Sequence, residues 1–196
     1  MKLPTNIQIE KLHKKYAPTD RAFNLVFTHS TIVKDIAEQI ITKRSLDINS
    51  KLVNVGALLH DIGVYSIINI EGELDESNYI QHGIRGYNIL KQEGFSENIC
   101  RFTERHTGVG ISQNDVISQN LNIPPKDYTA ESLEEKLIMY SDKFHSKNQQ
   151  FNSFDTYSKY IGRFGKDKVQ KFNLLSQLFG TPDLELLARK YKHPIL

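Results

Sequence analysis

The sequence predicts an all-α fold. Three observations carry this expectation. Apolar residues recur at spacings of three and four through most of the chain, and the breaks between those runs hold capping residues, glycines and prolines. No stretch longer than a few residues alternates with the period of a strand.

Composition narrows the class. A chain of 196 residues is long enough for one domain with a real core. We read residues 1–196 as a single domain, with its core over about 20–147 and a helical extension over about 150–196. With 39% hydrophobic and 24% charged residues, the chain fits a soluble globular protein better than a disordered or membrane one. The formal net charge of +2 predicts no large nucleic-acid footprint. Cys100 is the single cysteine, so no intrachain disulfide framework exists, which fits a reducing compartment. The N-terminal segment lacks the apolar core of a signal peptide and no window is apolar enough to span a membrane, so the expected location is the cytoplasm.

The elements follow in order. Residues 1–17 form a short amphipathic helix with Ile7, Ile9, Leu12 and Tyr16 inward, and His13 lies among lysines in a solvated stretch. Pro18-Thr19-Asp20 breaks it and caps a helix over 20–44, where Leu25, His29, Ile32, Val33, Ile36 and Ile40 share one side. A third helix over about 50–62 carries Leu52, Val55, Leu58 and Leu59 into the adjacent pair His60-Asp61, with Gly63 as its end. Residues 63–78 lack a helical period and read as a loop. Helices over 78–93 and 96–107 place His82 and His106 inward, and Gly86 removes bulk one turn after His82. An irregular stretch precedes a helix over 129–147, in which Asp142 lies at the edge of the stripe Leu133, Leu137, Tyr140 and Phe144. The remainder is rich in aromatics, from Phe151 to Phe172, and ends in a helix begun by Thr181-Pro182-Asp183.

Four histidines and two aspartates thus face inward from separate elements: His29, His60, Asp61, His82, His106 and Asp142. As independent core residues each would need its own buried partner. A shared metal cluster satisfies all of them at once. Three histidines and two carboxylates form an N/O set suited to Mn²⁺, iron or Zn²⁺ and unlike a thiolate-rich structural zinc site, and the fourth histidine leaves room for a second ion. Asp61 has two oxygens and can bridge two metals.

The order His…His-Asp…His…His…Asp around HDIG resembles the HD-domain metal-dependent phosphohydrolase superfamily, over about residues 20–147. The segments RHTGVGIS and IPPKDYTAESLEEKLIMYSDK resemble an uncharacterised HDIG subgroup of it. The resemblance implies a helical HD-domain bundle. His29, His60, Asp61 and Asp142 match the one-metal signature, and His82 with His106 match the two-metal members, in which Asp61 bridges. It implies two divalent ions, Fe or Mn first, with Zn, Mg or Ni as alternatives. The sequence departs from many two-metal members, including cyclic-dinucleotide phosphodiesterases, where a lysine follows HD-x-G; here Val64 and Tyr65 follow Gly63.

The implied activity is hydrolysis of a phosphate ester or anhydride in a small nucleotide-like molecule, with Asp61 as the catalytic bridge. Arg85, Arg105 and Lys143 are the candidate substrate contacts, and Arg163 is a further one. His145 reads as a surface histidine. The alternative is a mixed-valent diiron oxygenase of the same fold and ligand order, and the third reading is a non-catalytic binding module.

Overall fold

A computed structural model of the chain describes residues 3–196. Among these, ten α-helices account for most of the structure: α1 (Asn6–Tyr16), α2 (Asp20–Arg44), α3 (Ser50–Leu59), α4 (His82–Gln92), α5 (Glu97–Glu104), α6 (Gln113–Ser118), α7 (Leu133–Asp142), α8 (Phe154–Ile161), α9 (Lys166–Phe179) and α10 (Leu184–Tyr191). A two-stranded antiparallel hairpin joins β1 (His145–Ser146) to β2 (Gln150–Phe151). No described helix is long and apolar enough to cross a membrane.

The long helix α2 is the axis of the bundle. Thr19 caps it by accepting the Ala22 N–H at 3.0 Å, and Ser45 ends it in the left-handed region at φ 50°. Its inner face packs against α3 and α7, and α3 in turn packs on α5 and α7. Two apolar clusters result. One gathers Ile32, Val33, Ile36 and Ile40 of α2 with Leu137, Ile138, Tyr140 and the aromatics of the C-terminal helices. The other joins Ile9 and Leu12 of α1 to Val26, Val55, Leu58, Leu59 and Leu90. His29 falls on α2 between Val26 of one cluster and Ile32 of the other.

Residues 150–196 pack onto the helix that carries Asp142. Tyr140, Phe144, Phe151, Phe172 and Phe179 are fully buried together, and the Tyr140 hydroxyl donates to Gly180 O at 2.8 Å. Each such ring contributes about 1.5–3 kcal/mol on burial. The chain end adds a third strand-like segment, with Phe151 N donating to Pro194 O at 2.8 Å and Leu196 N to Phe151 O at 2.9 Å.

Several boundaries differ from the sequence expectation. α3 stops at Leu59, so His60 is its C-cap and Asp61 lies beyond it, out of helical conformation at φ −106° and ψ 10°. The expected loop 63–78 is overlapped at both ends by 3₁₀ turns, Ile62–Ile67 and Glu76–Gln81, and α4 begins only at His82. Gly63 is no helix end. A Cβ there would stand 2.0 Å from His82 O and 2.3 Å from Gly86 N, so the glycine lets the backbone of α4 approach. α7 starts at Leu133 behind a Ser132–Glu135 capping box rather than at Thr129, and ends at Asp142, with the hairpin where helix was expected. Asp183, not Thr181, caps α10, accepting the Leu186 N–H at 3.1 Å. Ile7 is 68% exposed, because α1 buries only the side bearing Ile9, Leu12 and His13.

Candidate metal centre

Six side chains from α2, the α3 terminus, α4, the end of α5 and α7 meet in one buried cluster. They divide into two groups that share Asp61: His29, His60, Asp61 and Asp142, and Asp61, His82 and His106. Asp61 Oδ2 stands 3.2 Å from His29 Nε2 and 3.4 Å from His60 Nε2. Its other oxygen, Oδ1, stands 3.4 Å from His106 Nε2 and 3.6 Å from His82 Nε2. Asp142 Oδ1 completes the first group, 2.9 Å from His29 Nε2 and 3.4 Å from His60 Nε2.

The histidine tautomers follow from what holds each ring. His60 Nδ1 donates to Ala57 O at 2.7 Å, His82 Nδ1 to Tyr79 O at 2.5 Å, and His106 Nδ1 to Phe102 O at 3.2 Å. A carbonyl only accepts, so in the neutral form of each ring, the form that binds a metal, the proton sits on Nδ1 and the Nε2 lone pair points into the cluster. Helix ends supply these carbonyls at i−3 or i−4, which is why His60 and His82 sit at helix boundaries and His106 lies just past one. His29 Nδ1 is instead 2.9 Å from His145 Nδ1.

The electrostatics show what the cluster lacks. Asp61 is fully buried, and neither of its oxygens, nor His60 Nε2, has a hydrogen-bond partner of acceptable geometry. Taking a carboxylate out of water costs on the order of several kcal/mol, and here an ammonium stands against only one of its two oxygens. Burial works against the Asp61 charge, yet the Lys147 ammonium against Oδ2 and the nearby His60 hold its carboxyl well below the usual range. Burial also opposes protonation of His60, but Asp61 and Asp142 outweigh it and raise the imidazole to about 9. Burial and the facing His106 push His82 down to about 3. One carboxylate thus faces imidazoles driven in opposite directions. A divalent cation on each side satisfies both sets through the same lone pairs, so the donor set fits a pair of metal ions.

The cations expected near substrate are placed differently from one another. Lys143 reaches the cluster, donating to Asp142 Oδ2 at 2.6 Å and His106 O at 2.9 Å. Arg85 is held by Gln81 Oε1 at 2.7 Å and Ser66 O at 2.7 Å. Arg105 is held by Thr129 O at 3.1 Å and by Glu131. Arg163 lies over the Tyr160 ring, 5.8 Å from its centroid.

Three residues were missed or misplaced by sequence reasoning. His145 is buried, not on the surface: it joins His29 to His193, whose Nδ1 is 3.0 Å from His145 Nε2. His13 is also fully buried, with Nδ1 2.8 Å from the Tyr65 hydroxyl and Nε2 2.8 Å from Leu58 O, beneath the HD segment. Lys147 touches Asp61 directly. Ending α7 at Asp142 instead of 147 is the signal that would have exposed His145 and Lys147, since the hairpin turns both back toward the cluster.

Fold and cluster together define a helical histidine–aspartate metal-site protein. The comparisons with known proteins make that specific: the HD domain family matches residues 26–147, and the chain belongs to that family. An uncharacterised protein of Methanocaldococcus jannaschii is 32% identical over 145 residues, covering 72% of this chain and 79% of its own. A tRNA (cytidine(56)-2'-O)-methyltransferase of Picrophilus torridus is 33% identical over 159 residues, which are 81% of this chain but 42% of that protein. The corresponding protein of Thermoplasma volcanium is 29% identical, over 85% of this chain and 44% of its own length. The chain therefore spans less than half the length of these two methyltransferases. Among solved structures, the HD domain of the L. monocytogenes phosphodiesterase PgpH matches 89% of this chain and 99% of its own at 18% identity and a TM-score of 0.52. Its complex with cyclic-di-AMP matches 96% and 99% at a TM-score of 0.55. At this identity the likeness is one of fold.

Proposed function

We propose that this protein is a metal-dependent phosphohydrolase that cleaves a phosphate ester or anhydride of a small nucleotide-like molecule at a dinuclear centre. The observation that carries the reading is the division of labour at Asp61, whose two oxygens face two separate histidine sets. His29, His60 and Asp142 would hold one cation, and His82 and His106 the other. Bound there, two such ions supply a hydroxide at neutral pH and polarise phosphoryl oxygens. The chain's own part is to fix the Nε2 lone pairs through Nδ1–H donors, to hold Asp61 ionised between the two groups, and to keep the cluster buried. Membership in the HD family supports the hydrolytic reading, as does the phosphodiesterase whose HD domain shares the fold. The methyl transfer named for the two relatives from Picrophilus torridus and Thermoplasma volcanium is a property of proteins more than twice as long as the matched segment, and it is not carried over.

The test is elemental analysis of the protein as isolated, followed by assay of phosphate release from nucleotides and dinucleotides with added Mn²⁺. Two metal equivalents with phosphate-ester cleavage are expected. A protein that holds two irons, consumes oxygen and cleaves no phosphate ester would overturn the hydrolase in favour of the oxygenase.

A further inference from the structure

One positive charge at the cluster belongs to no motif. Lys147 is the first residue of the three-residue β1–β2 turn, closed by the Gln149 N–H donating to Ser146 O at 3.1 Å, with Gln149 in the left-handed region at φ 58°. Turns of this kind are a standard way to join short antiparallel strands. This one aims Lys147 inward, leaving its side chain 13% exposed. The ammonium lies against Asp61 Oδ2, donates to the Tyr79 hydroxyl at 2.8 Å, and stands 5.4 Å from the centroid of the Tyr79 ring. Tyr79 in turn stacks on the ring of His82, at 4.6 Å between centroids.

The other cations near the cluster are each held by a backbone carbonyl. Lys143 is divided between Asp142 and a backbone carbonyl, and Arg85 and Arg105 are tied to backbone carbonyls and neighbouring side chains. Lys147 has only a phenol and a carboxylate. That carboxylate oxygen is the one turned toward His29 and His60, so metal loading and Lys147 compete for it. A divalent ion held by His29, His60 and Asp61 would displace the ammonium from Oδ2 and leave Tyr79 as its tether. Two divalent ions would by themselves outweigh the charge of the two carboxylates, and Lys147 would then be surplus positive charge beside the reacting position. An anion with several oxygens is the ligand that balances such a site, and lysine's flexible stem lets its three donors follow one.

We propose that Lys147, steadied by Tyr79, is the phosphoryl-oxygen clamp of this site, taking the place of the lysine absent after HDIG; this rests on the phosphohydrolase reading. The ammonium leaves Asp61 on metal loading and donates to a non-bridging phosphoryl oxygen of the substrate. The lysine comes from the β1–β2 turn, five residues after Asp142, rather than from the 3₁₀ turn that contains Gly63.

The experiment measures binding of inorganic phosphate to Mn²⁺-loaded protein by calorimetry, with metal content determined on the same samples. Lys147→Met and Lys147→Gln should keep both metals and weaken phosphate binding about ten- to hundredfold, the scale of one hydrogen bond to a charged group. Lys147→Arg should restore most of the affinity. Tyr79→Phe, which leaves the charge but removes its tether, should give a smaller loss and serves if the neutral variants do not fold. Unchanged phosphate affinity in the neutral variants at full metal occupancy overturns the clamp and leaves the hydrolase reading standing. Loss of metal without loss of phosphate affinity also overturns it, making Lys147 a counter-ion of Asp61 only. Wild type that binds no phosphate with both metals loaded removes the hydrolase reading and the clamp with it.

Discussion

His82 and His106 face each other through their Nε2 atoms at 2.9 Å, while the Nδ1 of each is committed to a backbone carbonyl. Two lone pairs at that distance repel unless a cation lies between them and Asp61 Oδ1. In the proposed dinuclear site this pair would hold the second ion together with Asp61 Oδ1, apart from the ion at His29, His60 and Asp142.

His82→Ala should accordingly lower metal content by about one equivalent with little change in the circular dichroism spectrum. Asp61→Asn should disturb both ions, because an amide bridges two cations poorly, and should lower turnover on the best phosphate ester by on the order of 10² or more. Metal analysis and steady-state kinetics on the same preparations check both. Full metal and full activity in His82→Ala would mean that the second group is idle.

The ring of His145 stands against the Nδ1 of His29, the position that carboxylates and carbonyls occupy behind histidine ligands of metals. His145→Ala should weaken metal binding at the group that contains His29 by about 10- to 100-fold while the second group, built on His82 and His106, is little affected. A titration with Mn²⁺ after chelation reads this directly. Equal affinities in wild type and variant would show that His29 needs no orienting partner.

Gly63→Ala should be among the most damaging small substitutions in the chain. The added Cβ meets backbone atoms of α4 on two sides, and backbone cannot swing away as a side chain can. We expect a loss of about 3 kcal/mol or more in denaturant unfolding, accompanied by loss of the metal ligated by His82. Gly86→Ala should be milder, since its nearest neighbour is the Thr103 side chain at 3.0 Å.

His13 provides a pH signature outside the cluster. Burial lowers its imidazole from 6.5 to about 4 despite the Leu58 carbonyl that favours its charge. The folded protein therefore binds this proton less readily than the unfolded chain. Its contribution is fully present above pH 6.5 and is lost as pH falls from there toward 4, by on the order of 3 kcal/mol. In chelated protein, His13→Gln should flatten the fall in stability across that window relative to wild type. Parallel curves for the two proteins would contradict the assignment.

What the sequence determined alone is the helical class and the six candidate ligands. Helical periodicity is a local property, and the spacing of apolar residues on α2 places His29 on the same side as Ile32, Val33 and Ile36 without reference to any other element. The tandem His60-Asp61 likewise announces itself by adjacency. What only tertiary structure decided is everything that depends on where a helix stops and what lies across from it. Five residues of overestimated helix after Asp142 conceal a hairpin, because Lys143 and Phe144 continue the apolar and charged pattern of α7 while their backbone hydrogen bonds do not. That turn carries His145 and Lys147 to partners 116 and 86 residues away in sequence, His29 and Asp61. His13 looks solvated among its lysines, yet α1 lies against α3 on the side bearing His13, and burial follows from that packing. Periodicity reports which side of a helix is buried, whereas the identity of the neighbour, and with it the charge state of each histidine, is set by contacts between residues far apart in the chain.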